Sequence, residues 1–384
     1  METRPTSLAT PTITKPIHRN WAEVDLGALK YNIEQIRATL PASFTIFCVV
    51  KSDAYGHGMI PVSQALREAG ITHLAVANVH EGAVLRQSGF TGMILILGPL
   101  LKEEDPFLIR YELTPIVSSL AEVKRFEALE KHNPLPVQVK LDTGMARTGA
   151  LVKDAAKLIK SVQASPTLEL TGIATHYSSA RTDAEYTQMQ RSCFLSFLAS
   201  LKDVDTDKLL IHTDNSQSII RLPQDPPMNA VRLGLLCYGH PESVTIHEKA
   251  IQLKPVLSLH SRILSFKDLP PGSSIGYHRA HILKDHSRIA LVSCGYGDGI
   301  PANLSYGGYV LVRGQRAPVC GLVGMDIFAV NITDIPGVKP GDPVTLIGTQ
   351  GEETITLNDF CEHSGRGYRE VSCLLTQRVP RLYA

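Results

Sequence analysis

Residues 46–58 read IFCVVKSDAYGHG: five apolar residues, then a lysine, a small polar turn, a tyrosine and two glycines. A strand covered on both faces reads as a continuous apolar run of four to eight residues. Residues 46–50 are therefore predicted to form a buried strand, with Lys51 at its exit and 52–58 turning the chain.

Working outward, further short apolar runs fall at 73–77, 93–97, 113–117, 137–141, 170–175, 209–212 and 228–233. Amphipathic stretches such as 61–68 and 121–131 separate several of them, with apolar and charged residues at helical spacing. Strand and helix alternating about eight times predicts α/β architecture, a parallel sheet closed as a (β/α)8 barrel, with a doubly wound open sheet as the second choice. Beyond about residue 255 the texture changes. Short β-rich runs at 256–264, 288–293, 308–313, 329–332 and 343–347 alternate with LPPG, YGDG, SYGG and IPGVKPGD turns, which predicts a mainly antiparallel β domain. The expected organisation is a tail over 1–18, a barrel over 19–255 and a β domain over 256–384.

Composition narrows the function. The chain has 384 residues, is 43% hydrophobic and carries a formal charge of +1 with acids and bases interspersed. No basic stripe for nucleic acid and no polybasic membrane patch stands out, so the expected partners are small molecules or another protein chain. The seven cysteines occur singly, without a CxxC pair, a pattern of reduced, mostly buried thiols in a cytoplasmic protein. No metal site is expected, since Cys361 and His363 lie in a helix-like NDFCEHSGRG stretch. The opening METRPTSLATPTITKP has no apolar segment long enough for a secretory signal, and no run approaches the ~18 apolar residues of a membrane span.

In a barrel the loops after the strands build one mouth, and polar residues collect there: Lys51, Arg147, His176, His212, Asn215, Ser216 and Arg232. A lysine desolvated at a strand end near other cations has a lowered pKa, which frees its amine for Schiff-base formation. Backbone amides around NSQS and RLGLL, with a nearby tyrosine hydroxyl, suit a phosphate. Lysine plus phosphate site points to pyridoxal 5′-phosphate, although a Schiff-base aldolase on the same barrel needs the same pair.

The stretches WAEVDLGAL, VVKSDAYGHG, KLDTGMARTG, HTDNS, NAVRLGLLCYG, GYGDG, GMD at 324–326 and EVSC…RVPRLY resemble bacterial alanine racemase, a fold-type III pyridoxal-phosphate enzyme, from about Trp21 to Tyr383. The resemblance implies that Lys51 holds the cofactor and that Tyr55, Ser216, Gly234 and Leu235 reach its phosphate, with His176 against the ring and Asn215 close by. It implies that Arg232 faces the pyridine nitrogen, with His212 beside it as a relay. Arg147 would orient the substrate carboxylate, and Lys140 is either carbamylated to pair with that arginine or an ordinary inward-facing lysine. Racemisation needs acid/base groups on both faces of Cα; the implied pair is Lys51 and Tyr277, the latter supplied across a head-to-tail homodimer together with Met325 and Asp326. The product would be D-alanine for peptidoglycan. Two departures from the family pattern stand out: Arg369 where a tyrosine usually precedes the EVSC motif, with Tyr368 one place earlier, and His278 where glycine is common. Both bear on substrate choice, leaving a serine or broad-specificity racemase as the close alternative and a fold-type III decarboxylase or non-catalytic cofactor carrier as remoter ones.

Overall fold

The computed structural model describes residues 18–223, 226–246 and 248–384; nearly all of the expected tail lies outside them. They divide into two compact units. One comprises Glu23–Ser258 with Gly367–Leu374 and Arg381–Ala384; the other runs to Ala22 and includes Leu259–Arg366 and Leu375–Pro380. The barrel's unit thus contains two segments from the far end of the chain.

Within it, helix α1 (Leu26–Arg37) is capped by Asp25, whose side chain accepts from the Ala28 amide. The strands β1 (Thr45–Val49), β2 (His73–Val76), β3 (Met93–Ile96), β4 (Thr114–Val117), β5 (Leu135–Asp142), β6 (Leu168–Ala174), β7 (Leu210–His212) and β8 (Ala230–Leu233) follow one another in space, with β8 returning to pair β1. Each neighbouring pair from β8 through β1 to β7 is parallel. Between β7 and β8 the ladder closes through a parallel bridge from Asn215 to Arg232 and through Asn229 N–H donating to Ile211 O at 3.1 Å. All eight predicted strands are present.

Strand alternation explains which side chains face inward. Phe47, Val49, Ala75, Leu95, Ile116 and Ala230 form one buried cluster, while Ile46, Cys48, Leu74, Val76, Ile94, Ile96, Val231 and Leu233 belong to the larger core that also takes in the helices. Two residues beyond Ala230 on the same face comes Arg232; on β5, Gln138 and Lys140 alternate in the same way with Val137, Val139 and Leu141. The barrel interior is apolar low down and polar where the strands end.

Two helix boundaries depart from expectation. Helix α2 (Met59–Glu68) begins before 61, placing Pro61 in the first turn where its missing N–H costs nothing. Helix α4 (Leu120–Glu127), further along the chain than α3 (Val79–Gln87), stops short of 131, where Lys131 folds back and donates to the carbonyls of Phe126 (2.6 Å) and Leu129 (3.2 Å).

In the second unit, β9 (Leu257–Leu269), β10 (Ser287–Val292), β11 (Tyr309–Val312), β12 (Gln315–Cys320), β13 (Phe328–Asn331), β14 (Pro343–Gln350) and β15 (Glu353–Ile355) pair in the order β15-β14-β11-β12-β13-β10-β9, with β14 also pairing β9. Every one of these pairings is antiparallel. Strand β12 escaped the sequence reading because QRAPVC mixes charge and proline into its run. Helix α5 (Leu357–Ser364) carries Cys361 and His363, whose Nδ1 donates to Asp359 O. No disulfide joins any cysteine among the described residues.

Candidate active site

The turn after β1 is the local feature from which the site is built. Ser52, Asp53 and Ala54 have φ/ψ near 53/53, 52/47 and 54/51°, and Tyr55 has φ 54°. Four consecutive non-glycine residues are therefore left-handed, which costs roughly 1–2 kcal/mol each, so the surroundings must hold them. Glu81 on α3 does so with both carboxylate oxygens, accepting from Ser52 N–H and from Ala77 N–H, each at 2.7 Å. Asp53 accepts from Met59 N–H at 2.6 Å, tying the turn to α2. Arg381 Nε donates to Gly56 O at 3.0 Å. Gly56, at φ 79°, lies against α6 (Tyr368–Leu374): a Cβ there would stand 1.9 Å from Ser372 O.

This turn places Lys51 and Tyr55 in a cavity of about 530 Å³ at the strand ends, whose wall also includes Lys140, Arg147, His176, His212, Asn215, Ser216, Arg232, Gly234, Leu235 and Arg369. The sequence-predicted barrel residues thus converge. Tyr277, Met325 and Asp326 belong to the other unit; Tyr277 is 73% exposed in the single chain, and Asp326 pairs with Arg378. His278 and Arg279 beside Tyr277 take φ of 60 and 54°, the conformation glycine adopts most easily.

Arg232 organises the floor. Its Nη1 donates to His212 Nδ1 and His212 O, and its Nη2 to His176 Nδ1 (3.0 Å), Thr175 O (2.8 Å) and Thr213 O (3.0 Å). No described residue accepts from Nε, the donor left for the cavity. Because both histidines accept at Nδ1, their ring protons sit on Nε2. His212 Nε2 then donates to Gln138 Oε1 at 2.7 Å. Burial first, and the Arg232 charge second, hold His176 down to about 2 and His212 well below the usual imidazole range. Burial brings Arg232 itself to about 10, so it stays cationic at neutral pH.

The lysines respond to the same crowding. Burial and the neighbouring cations Arg232 and Arg147 lower Lys140 to about 8; it donates to Thr148 Oγ1 at 2.6 Å and has no carboxylate ion pair among the described residues. Lys51 is lowered by burial and by Arg147, with Glu81 opposing.

Opposite the floor lies a set of donors. Ser216 Oγ accepts from Gly234 N–H at 2.9 Å, while the N–H groups of buried Ser216 and Leu235 have no acceptor among the described residues. Tyr55 Oη reaches the same place: a Cβ on Gly234 would lie 2.6 Å from it. Asn215 Oδ1 shapes this loop by accepting from Gln217 N–H at 2.8 Å. Buried amides are almost always paired, so two open ones beside two hydroxyls form a place for an anion. The cavity wall contains five cationic residues and no carboxylate, which favours the same occupant.

Glu81 and Gln138 were not foreseen. Gln138 signals itself only as a polar residue inside an apolar strand, and Glu81 by nothing in its helix. Arg369 lines the cavity, whereas Tyr368 stacks on His240 with ring centroids 6.3 Å apart, so the arginine and not the tyrosine faces the site.

Residues 24–242 match the family model for the alanine racemase N-terminal domain, and residues 256–383 that for the alanine racemase C-terminal domain. The alanine racemase of Halothermothrix orenii is 39% identical, covering 97% of each chain, and that of Methanococcus maripaludis 37% identical over 95% of this chain and 99% of its own. Among solved structures, alanine racemase from Bacillus anthracis with bound L-Ala-P superposes with TM-score 0.87 at 35% identity, covering 97% of this chain and 96% of that one. The E. faecalis alanine racemase gives 0.88 at 31%, covering 96% and 98%. Matched over both of its domains, with its cationic cavity at the strand ends of a parallel barrel, this chain belongs to the alanine racemase family.

Proposed function

We propose that the protein interconverts L- and D-alanine using pyridoxal 5′-phosphate held in the barrel cavity. The barrel would occupy 19–255 and the β domain 256–384. The observation that carries the reading is the open donor set of Tyr55, Ser216 and Leu235 facing the same cavity as the Lys51 amine and Arg232 Nε. These fit the group at its phosphate, its aldehyde carbon and its ring nitrogen respectively, with His176 on the cavity wall beside them.

When bound, the cofactor withdraws electrons from Cα of an attached amino acid and so acidifies its proton. Lys51 would hold the cofactor and, as a free amine, would move the Cα proton on one face; its lowered pKa raises the share of neutral amine available for both tasks. Tyr277, delivered by a second copy of the chain in a head-to-tail homodimer, serves the other face, and Met325 and Asp326 of that copy complete the entrance. Arg147 orients the substrate carboxylate. Arg232, cationic at neutral pH, disfavours protonation of the ring nitrogen it faces. A ring nitrogen kept unprotonated in this way would withdraw charge from Cα less strongly, which would favour return of the proton over other bond cleavage. Lys140, lowered to about 8, has an amine that can take up carbon dioxide and meet Arg147 as a carbamate. No helix among the described residues is long and apolar enough to cross a membrane, and we place the enzyme in the cytoplasm, supplying D-alanine for peptidoglycan.

The test is chiral analysis of cofactor-loaded protein given L-alanine, L-serine and basic L-amino acids separately, with Lys51→Ala and Tyr277→Phe alongside. Alanine should convert well ahead of the others. Lys51→Ala should lose both the visible absorbance of lysine-bound cofactor and turnover; Tyr277→Phe should keep the absorbance and lose turnover from either enantiomer, because each direction uses a group on both faces of Cα. Normal racemisation by Tyr277→Phe in both directions would refute the two-base assignment.

A further inference from the structure

His57 is a fully buried titratable group that the proposed reaction does not use. Its Nδ1 lies 2.9 Å from Ala54 O and 3.0 Å from Tyr55 O. Carbonyl oxygens only accept, so the ring proton sits on Nδ1 and is shared between the two. Those carbonyls belong to the peptides before and after the Tyr55 Cα. One N–H therefore ties both peptide planes that set φ and ψ of Tyr55, a left-handed residue at φ 54°. Tyr55 O accepts from no backbone amide among the described residues, so the imidazole meets an acceptor that the turn itself leaves open. Burial holds His57 down to about 3 and keeps it neutral, and Nε2 meets no donor among the described residues. The ring also covers Tyr238 at a centroid distance of 4.4 Å. Tyr238 in turn lies 5.2 Å from the Tyr55 ring, and its hydroxyl donates to Val49 O at 3.1 Å. His57 thus reaches Tyr55 through its backbone and through its ring.

We propose that His57 is a positioning residue for Tyr55, aiming its hydroxyl at the place faced by the open amides of Ser216 and Leu235. The aim has little tolerance: a Cβ on Gly234 would stand 2.6 Å from the Tyr55 hydroxyl. That hydroxyl sits at the far end of a rigid ring, so a small rotation of the two peptides at the Tyr55 Cα moves it further than it moves the backbone, and misplacement of a binding group weakens what it binds. An apolar residue of similar size could fill the space beside Tyr238, but it would leave the Tyr55 carbonyl unmet. The packing half of the task does not need a histidine; the donor at Nδ1 does.

This inference rests on the cofactor reading above and is tested by binding, not turnover. Full-length apoprotein is titrated with pyridoxal 5′-phosphate and with pyridoxal, which lacks the phosphate, in wild type, His57→Asn and His57→Gln. The asparagine amide can donate from the place of Nδ1, whereas the glutamine amide reaches the place of Nε2. His57→Gln should therefore weaken the phosphorylated form about tenfold and leave pyridoxal unchanged, while His57→Asn should retain most of the affinity. On a Tyr55→Phe background, which has no hydroxyl to aim, His57→Gln should weaken binding no further. Equal weakening for both aldehydes, equal behaviour of the two amides, or losses that add on the Tyr55→Phe background would overturn the proposal in favour of a packing role. Amide exchange of the 51–58 peptide in apoprotein reads the turn without ligand: it should quicken in His57→Gln and not in His57→Asn, and unchanged exchange in His57→Gln would overturn the proposal too. A wild type that binds neither aldehyde would sink the cofactor reading, and the exchange would still decide whether His57 holds the turn at Tyr55.

Discussion

Replacing Glu81 by glutamine should loosen the left-handed turn and retune Lys51 together. The wild-type carboxylate accepts from the amides of Ser52 and Ala77; a glutamine keeps one acceptor oxygen and turns an NH2 group towards the other amide. Losing one charge-assisted bond and leaving a donor unmet costs about 2 kcal/mol, or about thirtyfold in the local opening equilibrium. Amide hydrogen exchange of the peptide spanning 51–58, followed by mass spectrometry, reads that opening directly. The charge is lost as well. Glu81 is what raises Lys51 against burial and Arg147, so its removal lowers the amine further and moves the acid limb of the rate-against-pH curve to lower pH. Exchange at 51–58 unchanged, or an acid limb moved upward, would refute the assignment of Glu81 as the prop of this turn.

Three other outcomes follow from the geometry. Gly234→Ala should displace the Tyr55 hydroxyl, which lies 2.6 Å from the added carbon, and weaken cofactor binding about tenfold in the same titration. Gln138→Leu strands the His212 Nε2 proton in a fully buried place and should lower stability by about 1–3 kcal/mol in urea unfolding, with kcat falling more than KM rises because Arg232 loses its fixed partner. Acid should destabilise the fold early: His57, His176 and His240 are held at about 3, 2 and 4 by burial, against 6.5 in the unfolded chain. Their contribution is complete above 6.5 and is lost as pH falls towards those values, at about 1.4 kcal/mol per group and pH unit. Proton uptake on unfolding at pH 5.5 should exceed one per chain; a smaller uptake would contradict it.

Most of the barrel was legible because its strands are largely apolar runs and its catalytic candidates stand at their ends or in the loops that follow. Lys51, Arg147, His176 and Arg232 could be placed on one rim from strand ends alone. What could not be read is how the rim is propped. Nothing in SDAYGHG announces a left-handed turn, since only Gly56 and Gly58 in it favour positive φ, and the Glu81 that supports it comes from a helix 29 residues on. Gln138 shows why a polar residue in a buried strand is worth following: its position in the alternation points it at His212, but only the folded register reveals the partner. The choice between Arg369 and Tyr368 turned on the close approach of two backbones, which leaves no mark in either segment taken singly.

The contribution of Gly367–Leu374 and Arg381–Ala384 to the barrel's unit also bears on how the protein is made. The turn carrying Lys51 lies near the start of the chain, yet Ser372 packs against Gly56, Arg381 donates to its carbonyl, and the Tyr383 hydroxyl fills the space over Gly58. On the ribosome these residues emerge well after the eight barrel strands. A nascent chain can complete all eight parallel strands and still lack the segments that brace the strained turn, so a competent cavity forms later than the barrel strands do. Translation halted before residue 367 should release a barrel whose 51–58 peptide is cut readily by protease, where a chain that includes residues 367–384 resists.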